Sequence, residues 1–149
     1  DYFIFDCDGV VYKGAGEVPG AISTLNKLQA QNKGIFFLSN SSGKTRIDIS
    51  SKMKKLGFDE AQERHSYGSA YVTAQYLWEK YPAIKKVRVV GMDSIKKEMA
   101  LVGISSIGGE TPEPFMKENS ILIPSFVEEM NAYKLEEDVG AVVVGLDTQ

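Results

Sequence analysis

The chain has 149 residues, of which 43% are apolar and 25% charged, with a formal net charge of −3. That is ordinary for a globular protein, long enough for one domain with a real core or for parts of two. There is no basic footprint for nucleic acid and no apolar run of membrane-span length. The single cysteine excludes an internal disulfide and suits a reducing compartment, so a cytoplasmic location is expected. The chain opens without Met and directly on a strand-like run, so residues are expected ahead of Asp1.

The first run, Tyr2, Phe3, Ile4 and Phe5, predicts a short buried strand. Asp6 and Asp8 follow, and Gly9 ends the run. Continued extension would put both carboxylates on one face. Two close negative charges repel, so such a pair calls for a cation, a shared proton or an incoming group that uses both. Gly9 permits a sharp turn and a close backbone approach. The place, just past a strand's carboxyl end, is where open α/β sheets bind ligands. The alternative is a solvated turn, against which stands the apolar run Val10, Val11 and Tyr12 that follows. Cys7 is expected to face away from the acids as a small buried hydrophobe, with a redox role as the alternative.

Residues 13–20 are punctuated by Gly and Pro and form either a plain connector or a loop folding over a ligand. Ala21, Ile22, Leu25 and Leu28 recur at helical spacing, and Asn32-Lys33-Gly34 is a stop signal. Residues 35–38 read as a second strand. Strand, helix and strand in this length make a right-handed βαβ unit with parallel strands, which would bring Asp6 and Ser39 to the same edge.

Ser39, Asn40, Ser41, Ser42 and Gly43 precede the next helix, predicted over residues 45–56. Hydroxyls, an amide and a helix N-terminus make an anion cradle; the alternative is ordinary helix capping by the serines. Gly43-Lys44-Thr45 imitates the end of a P-loop, but the position five residues before Gly43 is Leu38 rather than Gly, so nucleotide hydrolysis of that type is rejected. Arg46 could reach a phosphate or lie exposed on the helix. Residues 58–65 are polar and loop-like, and His65, the single histidine, has no partner pattern around it.

The texture changes after residue 66. A helix over residues 68–80 carries Tyr71, Tyr76 and Trp78, expected as core. Residues 87–90 predict a strand, residues 93–102 a helix, residues 104–114 a loop-rich stretch, residues 121–123 a strand and residues 141–144 a buried strand. The acidic stretch 128–138 reads as a solvated helix and loop rather than a metal site. The fold class is α/β.

These residues carry a resemblance. Phe3-Ile-Phe-Asp-Cys-Asp-Gly-Val-Val11 resembles motif I of the haloacid dehalogenase superfamily of phosphatases, and Leu38-Ser-Asn-Ser-Ser42 resembles motif II. The run from Tyr67 to Leu77, Val-Val-Gly91 and the C-terminal Val-Val-Val-Gly-Leu-Asp-Thr-Gln149 are similar to the subclass with a type IIA cap, which holds the NagD-like, 4-nitrophenylphosphatase and phosphoglycolate/pyridoxal phosphate phosphatases. The resemblance implies a Rossmann-like parallel-sheet core in residues 1–66, the first part of an α/β cap in residues 67–149, and further core strands that are absent here.

By the same resemblance, Asp6 is a nucleophile that forms an aspartyl phosphate and Asp8 the general acid and base. Asp6 and the Asp8 backbone carbonyl hold Mg²⁺. Gly9, Ser39 and Asn40 bind the phosphoryl group of a small phosphorylated metabolite. Members often pair through their caps, which implies a homodimer. Ser41 stands where Asn is more usual, Gly43 where Thr is, and Thr45 where Ser is. A later Lys and a further acidic motif that the family uses have no counterpart in residues 67–149, so these residues alone are expected to have little or no activity. The alternative is a phosphate- or metal-binding module without turnover. A receiver domain is set aside because the second strand ends on Ser39-Asn40 rather than on acids.

Overall fold

Strand β1 (Tyr2–Asp6) begins a structure, here a computed structural model, that describes residues 1–108 and 136–146. After β1 come a tight hairpin of β2 (Tyr12–Lys13) and β3 (Gly16–Glu17), helix α1 (Ala21–Ala30), β4 (Gly34–Ser39), helix α2 (Arg46–Lys55), a 3₁₀ turn (Glu63–His65), β5 (Ser66–Gly68) and helix α3 (Ser69–Lys80). Two compact units result, Asp1–Thr73 and Ala74–Gln149, with the division inside α3.

In the first unit β1, β4 and β5 form one parallel sheet in that spatial order. The expected βαβ unit is present, and its strands pair directly: Phe3 lies beside Ile35, Phe5 beside Phe37, and Asp6 beside Leu38. Two right-handed crossovers running in one direction put α1 and α2 on the same face. Ile22 and Leu25 of α1 and Ile49 and Met53 of α2 therefore share a core with Ile35 and Phe37. Phe58 and Ala61 join it, with the Phe58 ring edge-on to Phe37 at 5.8 Å. The stretch expected to be a polar loop thus contributes two buried side chains to the core.

The opposite face explains a second difference. β1 was expected to be buried, but Tyr2 is 79% exposed and Ile4 70%. Their in-register neighbour face on β4 and β5 carries Phe36, Leu38 and Tyr67, and Leu38 is also exposed. Both helices cover the other face, so apolar sequence alone overstated the burial of an edge strand. β5 was not foreseen, because three residues are too few to show a period. The 13–20 stretch is not a plain connector but contains the β2–β3 hairpin.

The second unit contains β6 (Lys86–Val90), α4 (Asp93–Leu101), β7 (Ser105–Ile107) and β8 (Ala141–Val144), with the three strands parallel in the order β7, β6, β8. Val87, Val89, Ile95, Met99 and Ile104 are buried. β8, expected to be buried throughout, leaves Val142 and Val144 exposed, as the two-residue alternation of a strand with one covered face gives. On α3 the buried residues are Ala70, Ala74 and Leu77, while Tyr76 and Trp78 are exposed. Tyr76 and Trp78 are therefore not the core expected of them, while Tyr71 is half-buried; the smaller side chains at four- and three-residue spacing are the core. Glu136 and Asp138 both pair with Lys86. The strand expected over residues 121–123 and the acidic residues 128–135 lie outside the described residues.

Helix α2 starts on a complete capping box. The Thr45 side chain accepts from the Asp48 N–H, and the Asp48 carboxylate accepts from the Thr45 N–H at 2.8 Å. Thr45→Ala removes half of this exchange and should cost about 1 kcal/mol of stability, read as a lower midpoint in chemical denaturation with an unchanged slope.

Candidate active site

The carboxyl ends of β1, β4 and β5 meet at one edge of the first unit's sheet. Asp6 pairs in register with Leu38, and Ser39, one residue further along β4, pairs with Gly68. Parallel pairing thus brings the first acid and the Ser39–Lys44 loop together from distant parts of the sequence.

Beyond Asp6 the extended strand does not continue. The N–H groups of Val11 and Tyr12 turn back to the Cys7 carbonyl at 3.0 and 3.1 Å, and the Gly9 N–H donates to the Tyr12 carbonyl at 2.7 Å. Gly9 has φ +88°, a backbone state that costs little only for glycine. Cys7 is fully buried and points into the core, while Asp6 and Asp8 on either side are exposed. The acids therefore face solvent together, but through a turn rather than an extended strand. Gly9, expected to offer its N–H to a phosphate, here donates it to Tyr12.

Each carboxylate has its own anchor. Asp6 accepts the Cys7 N–H at 2.8 Å. Asp8 takes the Lys44 ammonium on both oxygens, each at 3.1 Å. That ammonium also donates to the Tyr12 hydroxyl at 3.3 Å and lies 4.9 Å from the centre of the Tyr12 ring. Lys52 lies 3.5 Å from the same ring's centre and donates to the Gly14 carbonyl at 2.7 Å, which ties α2 to the hairpin. Tyr12 is thus a fully buried aromatic carrying two cations. Burial lowers the Lys52 pKa, and the nearby Lys44 charge lowers it further.

Ser39 is buried, and its hydroxyl accepts the Ser41 N–H at 3.3 Å. Asn40 is exposed, and its carbonyl accepts from the Ser69 hydroxyl at 3.1 Å. The helix cap is Thr45, not Ser41 or Ser42. Arg46 is neither at the acids nor exposed: it pairs with Glu63 at 3.1 Å and stacks on the Tyr71 ring at 3.9 Å, joining α2 to α3's first turns. His65, expected as a surface or linker residue, is half-buried, its ring edge-on to Phe36.

Lys44 and Tyr12 are the residues that sequence reasoning missed. Lys44 was visible only as the tail of a rejected P-loop. The usable signal was a cation in a loop expected beside two acids.

Among the described residues no three His, Cys, Asp or Glu side chains gather as a metal site. The donors at the edge are the Asp6 carboxylate and Asp8, all hard oxygens. Such a set fits Mg²⁺, which keeps several waters and takes one or two carboxylates together with a phosphate.

Comparison with known proteins fits this geometry. Residues 3–105 match the haloacid dehalogenase-like hydrolase family, and the chain belongs to that family. It is 38% identical over 146 residues to phosphoglycolate phosphatase 1A of Arabidopsis thaliana, covering 97% of this chain and 38% of that protein. It is 36% identical over 149 residues to the 4-nitrophenylphosphatase of Schizosaccharomyces pombe, covering 99% of this chain and 47% of that one. The fold matches a glycerol phosphate phosphatase from Mycobacterium tuberculosis, determined in complex with magnesium, with a TM-score of 0.70 at 22% identity, over 99% of this chain and 36% of that one. The chain spans less than half the length of these relatives.

Burial, helped by the nearby Asp8 and Asp6 charges and opposed by the Tyr12 hydrogen bond and the Lys44 charge, leaves the Cys7 thiol with a pKa pushed up from 9.0 to about 11. Burial also raises Tyr12 well above its ordinary 10.0. Both groups fold neutral, so stability is complete below pH 9 and is lost as pH rises toward 11. The expected loss for Cys7 is about 1–3 kcal/mol. Denaturation midpoints between pH 8 and 11 check this, and Cys7→Ala should flatten the decline. At pH 8 the native thiol should resist iodoacetamide while the unfolded chain reacts.

Proposed function

We propose that the chain is the catalytic N-terminal part of a Mg²⁺-dependent phosphomonoester hydrolase acting on small phosphorylated metabolites through an aspartyl phosphate. The observation that supports this most is the pairing of two separately anchored carboxylates, Asp6 and Asp8, at the strand edge beside Ser39 and Asn40. Residues 1–73, which include β5, supply the first part of the core, rather than the expected 1–66, and residues 74–149 the first part of the cap. Helices of a longer chain would cover the face that leaves Tyr2 and Ile4 exposed.

Asp6, fixed by the Cys7 N–H, attacks phosphorus in line and carries the phosphoryl group. Asp8 gives its proton to the departing oxygen and then takes one from the water that hydrolyses the Asp6 ester. Ser39 and Asn40 hold phosphoryl oxygens, and Gly9, at φ +88°, makes the turn that follows Asp8. Asp6 and the Asp8 backbone carbonyl would hold Mg²⁺, which when bound neutralises charge between the nucleophile and the phosphate. Most of the rate then comes from placement and charge neutralisation.

The relatives' names support phosphoglycolate, 4-nitrophenyl phosphate and glycerol phosphate as first substrates to try. A cytoplasmic site and a homodimer formed through the cap belong to the same proposal. A binding module without turnover is the second reading.

The test is hydrolysis of 4-nitrophenyl phosphate by the full-length protein. Turnover should require Mg²⁺, stop with EDTA and fall by about 10³-fold or more in Asp6→Asn. Full activity in that variant would overturn Asp6 as the nucleophile, and no activity in the native protein would favour the binding module.

A further inference from the structure

Lys44 takes no part in the steps above, yet it is the ammonium that grips one of the two acids. We propose that Lys44, held by Tyr12, is a positioning residue for the Asp8 carboxylate, the acid–base group; the inference rests on the phosphatase reading.

The placement is built from several sides. The Lys44 backbone is fixed by the capping box that begins at the next residue, Thr45. β5 packs beside it, where a Cβ at Gly68 would sit in van der Waals contact with the Lys44 carbonyl oxygen at 3.4 Å. The side chain crosses the buried Tyr12 ring, and its ammonium is shared between the Tyr12 hydroxyl at 3.3 Å and both Asp8 oxygens at 3.1 Å. An ordinary surface ion pair has neither the ring nor the second acceptor, and its side chains wander. Here Tyr12 is itself locked by its N–H bond to the Cys7 carbonyl, the residue whose own N–H anchors Asp6. One short turn therefore fixes the nucleophile through its backbone and the acid–base group through Lys44.

The consequence is specific to one proton transfer. As the Asp6–phosphorus bond forms and the phosphorus–oxygen ester bond breaks, the Asp8 proton passes to the departing oxygen. Lys44 keeps the Asp8 oxygens aimed at that atom and faces the carboxylate left behind. A leaving group that departs as a stable anion needs this proton little, whereas a poor one needs it much.

The experiment compares kcat/KM for 4-nitrophenyl phosphate and for phenyl phosphate, which are close in shape and differ in leaving-group basicity. Because kcat/KM covers steps up to the aspartyl phosphate, later hydrolysis does not blur the comparison. In the full-length protein, Lys44→Met should lower phenyl phosphate turnover by about tenfold more than 4-nitrophenyl phosphate turnover. Lys44→Arg should restore most of the difference, and Asp8→Asn should show the same selective loss. Retained 4-nitrophenyl phosphate turnover in Lys44→Met also reports that the variant folds. An equal loss on both substrates, or no loss on either, would overturn the role given to Lys44. No turnover in the native full-length protein would instead overturn the phosphatase reading, and unimpaired turnover in Asp6→Asn, or no selectivity in Asp8→Asn, would overturn the roles given to those two acids and the inference with them.

Discussion

Direct parallel pairing of β1 with β4, with Asp6 beside Leu38, is the constraint on which the rest of the site depends. It places the last residue of β1 beside the penultimate residue of β4, so groups more than thirty positions apart in sequence reach one edge. The pairing is held by the core beneath it, where Ile35 and Phe37 pack on α1 and α2. The helices in turn are set by crossover handedness and, for α2, by the Thr45–Asp48 capping box. A shift of β1 by one residue would exchange its faces and move Asp6 away from the Ser39 loop.

The electrostatics of the edge follow from burial on one side and solvent on the other. Cys7 and Tyr12 are driven into the core and stay neutral there, while Asp6 and Asp8 remain outside. Two exposed carboxylates two residues apart would repel; Lys44 answers one of them and a backbone N–H the other. Tyr12 lets cationic side chains approach this edge without an acid beneath each one, because its ring face accepts both Lys44 and Lys52. The same residue therefore supports the hydrophobic core, the hairpin and the charged rim.

Much of this was legible in the sequence. Short apolar runs ending in Asp6 and Ser39, with a helical period and a Gly stop between them, are enough for a parallel βαβ unit, and the motifs around Asp6 and Asn40 point to the family. What was not legible needed three dimensions. The apolar run of β1 looks the same whether one face or both are covered, so the exposure of Tyr2 and Ile4 could not be read from it. β5 is too short to show a period. Tyr76 and Trp78 seemed core by residue type, but Ala74 and Leu77 hold the inward positions of α3. The contact between Lys44 and Asp8 joins residues 36 apart and has no local signature.

The most direct test is to find the phosphoryl group on the chain itself. The full-length protein would be mixed with 4-nitrophenyl phosphate and Mg²⁺, quenched in acid within the first turnover, digested and examined by mass spectrometry. A hydroxylamine-labile phosphate on Asp6, absent in Asp6→Asn, is the predicted result. Turnover with no phosphorylated peptide, or with the phosphate on another residue, would contradict the assignment of Asp6 as the nucleophile.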